Sequence, residues 1–113
     1  MSPRNESQRV KDIIEAITHI YEVRKLLFLY PNDEILPAVA YQATSYNLII
    51  IGEAVRHLSP EFREKHSSID WHRLIELRNF LAHQYHEVQV DTIDTLITES
   101  LEKVADYLEK LDI

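Results

Sequence analysis

The sequence predicts an all-α fold, an antiparallel bundle of four main helices plus one short one. Three observations carry that expectation. Apolar residues recur at i, i+3, i+4 and i+7 through most of the chain, the spacing of one buried helix face. A single glycine in 113 residues, against an average of about 7%, leaves few of the tight turns that a sandwich or barrel requires. Helix start signals then fall where the periodic segments begin. The length fits a single domain spanning 1–113, with 45% hydrophobic and 27% charged residues, the balance of a globular chain.

The first helix is predicted from about Ser7 to Leu29, with Val10, Ile13, Ile14, Ile17, Ile20, Tyr21, Leu27 and Phe28 on one face. Tyr30-Pro31-Asn32-Asp33 breaks it. A second helix starts near Asp33 or Glu34, with Pro37 tolerated in its first turn. Its apolar residues cover most of the circumference, so it is expected at the centre of the bundle. Gly52 costs that helix about 1 kcal/mol relative to alanine, which points to a close helix crossing. Ser59-Pro60-Glu61 reads as N-cap, first helical position and an acid at the positive end of the dipole. This short helix ends before His66-Ser67-Ser68. Asp70 caps a fourth helix carrying Trp71, Leu74, Leu77, Arg78, Leu81 and Tyr85. Asp91 starts the fifth, with the stripe Ile93, Ile97, Leu101, Val104, Leu108 and Leu111.

Composition excludes several functions. Without cysteine there is no disulfide, thiol nucleophile or thiolate-bound zinc, and one glycine cannot build a phosphate-cradling loop. The longest apolar run, Leu48 to Ile51, falls far short of the roughly 18–20 residues that cross a bilayer. The first twelve residues are too polar for a signal peptide, so a cytoplasmic location without membrane contact is expected. The net charge of −7 argues against coating nucleic acid by bulk electrostatics. That charge is uneven. Residues 56–86 hold five basic and four acidic residues and five of the six histidines, whereas 87–113 alone carry −6.

Chemistry concentrates in residues 78–86, Arg-Asn-Phe-Leu-Ala-His-Gln-Tyr-His. Arginine clamps phosphate with a planar fork of donors, and histidine exchanges a proton near neutral pH. Together they suffice for metal-independent cleavage of a ribose–phosphate backbone: one group deprotonates the 2′-hydroxyl while a cation stabilises charge on the phosphoryl oxygens. On an ideal helix, however, Arg78 and His83 lie about 140° apart, while Tyr85 is about 20° from Arg78. Arg78 and His83 converge only if the helix loosens or a second chain completes the site. A capped, solvated helix end explains the same cluster without catalysis. No HExxH motif is present, and His83 and His86 form no familiar ligand set, so no metal is expected. Glu53, in the most apolar helix, either faces solvent at its edge or is desolvated and needs a cation or donors.

The spacing Arg78-x4-His83-x-Tyr85, reading RNFLAHQY, resembles the signature of HEPN-domain proteins, and within them the HepT toxins. IGEAVRHLSPEFREKH at 51–66, IDW at 69–71 and Val88 to Asp91 are similar to the family as well. One position departs from it: Glu76 stands where a small residue is common, and an acid lining the approach to the site would weaken phosphate binding. The resemblance implies a HEPN-like homodimer in which Arg and His of both chains face one cleft, and an endoribonuclease that cuts tRNA or mRNA without metal. Arg78 would bind the scissile phosphate, His83 would act as acid or base, Asn79 would orient substrate, and Glu53 would orient Arg78 or His83. Tyr85 would be the hydroxyl that a minimal nucleotidyltransferase antitoxin resembling MntA modifies with AMP, in a type VII-like system. ATP would serve only as the AMP donor, with no cofactor of the chain's own. The competing expectation is a non-catalytic nucleotide- or partner-binding helical module working with such a nucleotidyltransferase.

Overall fold

A computed structural model of the chain describes residues 5–84 and 100–111. These form helices α1 (Glu6–Leu29), α2 (Leu36–Arg56), α3 (Pro60–Lys65), α4 (Trp71–Gln84) and α5 (Glu102–Glu109), and no strand occurs among the described residues. The fold is the all-α bundle that the periodicity predicts. The expected start of the last helix at Asp91, with Ile93 and Ile97, lies outside the described residues.

Local chemistry places the boundaries. The Asn5 side chain accepts from the Gln8 amide while the Gln8 side chain accepts from the Asn5 amide, each at 2.8 Å, a reciprocal capping box that opens α1. Helix α2 begins later than the sequence suggests. The Asp33 carboxylate accepts from the Ile35 and Leu36 amides at 2.9 and 2.8 Å, closing a turn that precedes the regular helix. Pro37 follows in the first turn of α2, where its missing N–H has no intrahelical role. Ser59 Oγ accepts from the Phe62 amide at 3.1 Å to cap α3, and Asp70 Oδ1 accepts from the Arg73 amide at 3.2 Å at the start of α4.

Helix α2 packs between α1 and α4, with α5 against α1. The connection between α1 and α2 is too short for anything but an antiparallel hairpin. The core is built from Ile13, Ile17 and Ile20 of α1, Leu48, Ile51 and Val55 of α2, Leu81 of α4, and Leu101 and Leu108 at α5, all essentially inaccessible. Each such side chain contributes about 1.5–3 kcal/mol of hydrophobic stabilisation. Polar contacts lock the smaller pieces. The Ser59 amide donates to Glu6 Oε1 at 2.6 Å, Trp71 Nε1 donates to the Arg63 and His66 carbonyls, and the His66 ring meets Tyr107 Oη at 2.7 Å.

The α1 stripe fails at its last turns. Phe28 is 84% exposed, and Leu26, Leu29 and Tyr30 are exposed around it. Periodicity identifies the inward face of a helix, but burial also requires a neighbour at the same height.

Candidate functional site

The site is built where α2 and α4 cross. A Cβ on Gly52 would lie 2.1 Å from Arg78 Cβ, 2.8 Å from Arg78 Cγ and 2.9 Å from the Leu74 carbonyl oxygen. Glycine is thus required by the stem of the arginine that the motif singles out, and the close crossing expected from Gly52 is present. The next residue receives the head of that arginine: Arg78 Nη2 lies 3.1 Å from Glu53 Oε2, an ion pair without hydrogen-bond alignment. Arg78 Nη1 donates to Asn79 Oδ1 at 3.0 Å. The guanidinium is held from two sides, while its Nε–H is buried with no hydrogen-bond partner among the described residues.

Glu53 has further partners. Its Oε1 accepts from Arg56 Nη2 at 3.1 Å and lies 2.9 Å from His57 Nε2. The hydrogen bond with His57 leads the effects that hold the Glu53 carboxyl below its ordinary pKa; burial opposes it, and the Arg56 and Arg78 charges add to it. The side chain is 35% exposed, so both alternatives left open by the sequence apply in part: it stands at the edge of the apolar helix and is supplied with cations. Arg56 and His57 escaped the sequence reading, although their spacing of three and four residues from Glu53 is the signal that could have found them.

An open groove of about 760 Å³ runs from this pair along the bundle. Arg9 and Asp12 of α1, Gln42, Ser45, Tyr46, Ile49, Ile50 and Glu53 of α2, and Arg78, Leu81 and Ala82 of α4 line it. Its two arginines are matched by one aspartate and one glutamate, so a single chain presents no excess positive charge there. Arg9, Ser45 and Tyr46 carry no motif that would have flagged them in advance.

His83 is exposed on α4 and does not line the groove. The structure therefore does not bring His83 to Arg78 within one chain, as the angle of about 140° between them on an ideal helix requires. Tyr85 lies outside the described residues, as do His86 and the Val88 to Asp91 stretch. Glu76 is exposed, pairs with His72 at 2.6 Å and is not a groove residue, so it does not place an acid beside Arg78 in this chain. Among the described residues no group of three or more His, Asp or Glu could hold a metal ion, and no helix is long and apolar enough to cross a membrane.

An all-α bundle with an Arg-x4-His motif on α4 is what the resemblance to HEPN domains implies. Comparison with known proteins is more specific. The family model described as "Ribonuclease HepT-like" matches residues 13–111, and the chain belongs to that family. It is 40% identical over 83 residues, 70% of this chain and 74% of the other, to "Putative RNase TTE0752" of Caldanaerobacter subterraneus. It is 29% identical over 109 residues to "Putative RNase MJ1380" of Methanocaldococcus jannaschii, covering 96% of this chain and 98% of that one. The same identity over 109 residues, and 96% of each chain, relates it to "Probable ribonuclease HepT" of Thermococcus cleftensis. No solved structure gives a significant match.

Proposed function

We propose that the chain is a metal-independent endoribonuclease of the toxin type, cutting cellular RNA such as tRNA or mRNA by attack of the 2′-hydroxyl on the adjacent phosphate. The observation that carries this reading is the seating of Arg78. Gly52 admits its stem, Glu53 and Asn79 hold its head, and Arg78 lines an open groove of about 760 Å³. A donor fork fixed before substrate arrives stabilises charge developing on the phosphoryl oxygens without reorganisation. The family membership and the names of the relatives support the same activity.

In this mechanism Arg78 binds the scissile phosphate, and His83 removes the 2′-hydroxyl proton or protonates the 5′-oxygen that leaves. Because His83 lies off the groove of its own chain, the working site is a dimer cleft to which a second copy brings its histidine. Two copies of Arg78 in one cleft also supply the positive potential that a single groove lacks. Glu53 is a positioning residue that sets the guanidinium. Tyr85, about 20° from Arg78 on an ideal helix, would carry the AMP added by a partner nucleotidyltransferase of the MntA kind; a bulky anion there would occupy the phosphate site and repel RNA.

The test is cleavage of tRNA and mRNA by purified protein in EDTA. Wild type should cut, and His83→Ala and Arg78→Ala should each lower the rate by at least about 100-fold. Activity that survives His83→Ala, or that requires a divalent metal, refutes the mechanism. Added AMP on Tyr85 in the intact mass, with no RNA cut by the unmodified chain, favours the non-catalytic module instead.

A further inference from the structure

Five buried side-chain polar atoms among the described residues lack an aligned hydrogen-bond partner: Arg9 Nε, Ser45 Oγ, Glu53 Oε2, Arg63 Nε and Arg78 Nε. All but Arg63 Nε belong to residues that line the one groove beside Arg78. Glu53 Oε2 has its ion pair with Arg78, and the Arg78 Nε–H is left for the phosphate. Ser45 and Arg9 remain unexplained by the chemistry at Arg78.

Ser45 is the most informative. The residue is only 6% exposed, and its hydroxyl has no protein partner among the described residues. A helical serine or threonine can return its hydroxyl to the carbonyl one turn back, as Thr18 does to Ile14 at 2.9 Å, but Ser45 does not. A buried hydroxyl left unpaired costs about 1–3 kcal/mol, so its presence needs a compensating use. Ser45 stands eight residues before Glu53 on the groove face of α2, about 12 Å along the helix axis from the seat of Arg78. Between them Ile49 and Ile50 form an apolar wall, and Tyr46, 58% exposed, lines the same groove. Arg9 lines the same space from α1, with its Nε–H buried beneath the surface.

This is the lining of a site for a flat apolar body with hydrogen-bonding atoms on its edge. Free phosphate would not need an apolar wall. A nucleobase meets every requirement: its face stacks on an aromatic ring, its carbonyl and ring-nitrogen acceptors suit an N–H and a hydroxyl, and its own phosphate reaches Arg78. We propose that the groove is a nucleotide subsite. It holds the base next to the scissile phosphate against Tyr46 and the Ile49–Ile50 wall, with the edge of the base turned toward Ser45 and Arg9, whose buried polar atoms it reaches as the groove walls adjust to it. The proposal rests on the ribonuclease reading for which phosphate is scissile, but not for the binding itself.

The experiment measures binding of the four ribonucleoside 5′-monophosphates and of inorganic phosphate to wild type, Tyr46→Ala and Ser45→Ala, by calorimetry or amide chemical shifts. RNA cleavage is followed on short substrates that differ only in the base beside the cut. The monophosphates should bind at least about tenfold tighter than inorganic phosphate, and Tyr46→Ala should cost them about tenfold while leaving phosphate unchanged. Ser45→Ala should weaken one or two bases by about fivefold, shift the cleavage preference accordingly, and leave the thermal midpoint equal or higher, since it removes an unpaired buried hydroxyl. Monophosphates that bind no better than phosphate, or variants that bind them as wild type does, overturn the subsite. So do variants that change only dimer dissociation, which would assign the groove to contact with a second copy. Nucleotide binding as described with no RNA cut retains the subsite and removes the ribonuclease reading; RNA cleavage indifferent to Tyr46 and Ser45 does the reverse.

Discussion

The tightest constraint in the molecule is the crossing at Gly52, and Gly52→Ala tests it. Carbon atoms in good contact are about 3.5–4.0 Å apart. The added methyl would stand 2.1 Å from Arg78 Cβ and 2.9 Å from the Leu74 carbonyl oxygen. The deficit against Arg78 is therefore about 1.4 Å, and the obstacle is a Cβ fixed to the backbone of α4, which no change of rotamer can move. The helices must part by roughly that amount or one must shift along the other. Overpacking of this kind costs about 1–3 kcal/mol or more. Replacing glycine by alanine inside a helix returns about 1 kcal/mol of intrinsic propensity. With a deficit this large the steric effect should win, leaving the variant about 1–2 kcal/mol less stable in urea unfolding at pH 7. Activity should suffer more. The residue displaced is Arg78, which binds the phosphate in the proposed mechanism, and a misplacement of about 1 Å in such a group costs on the order of 100-fold in rate. A variant as stable as wild type, or more so, would show that propensity prevails and that Arg78 does not need this gap. A destabilised variant of undiminished RNA cleavage would show that the crossing matters and the seating of Arg78 does not.

Two further outcomes follow from the packing. The Glu53 carboxyl titrates below its ordinary value, so its pairs stabilise the fold above the unfolded carboxylate pKa and that contribution is lost as pH falls through the depressed folded value. The stability difference between wild type and Glu53→Gln in urea should accordingly be largest near neutrality and vanish on acidification; solvent screening at this partly exposed site keeps it modest, and a difference that grows toward acid would contradict the assignment. Phe28→Asn should leave the unfolding free energy of the chain nearly unchanged, within about 0.5 kcal/mol, because the side chain is mostly in solvent; a loss of about 2 kcal/mol or more would mean that another copy or another segment covers it.

Much of the fold was legible because its determinants are local. Ser59 and Asp70 cap through amides three residues away, and the apolar spacing of Ile13, Ile17 and Ile20 requires no partner to be read. Gly52 was legible for a different reason: a residue unfavourable in a helix asks for a steric explanation, and the crossing supplies it. Phe28 shows the limit of periodicity, since a stripe continues whether or not a neighbouring helix reaches far enough to cover it.

At the site the same division holds. The sequence by itself determined which groups are available, an arginine, a histidine, an amide and a carboxylate, and that Arg78 and His83 stand on different sides of one helix. The tertiary structure alone decided that Glu53, twenty-five residues before Arg78, receives its guanidinium, that Gly52 admits its stem, and that Arg9, Ser45 and Tyr46 share its groove. Periodicity and caps act over one helical turn and are written in neighbouring residues. A groove is formed by three helices meeting at one height, and that depends on how they pack.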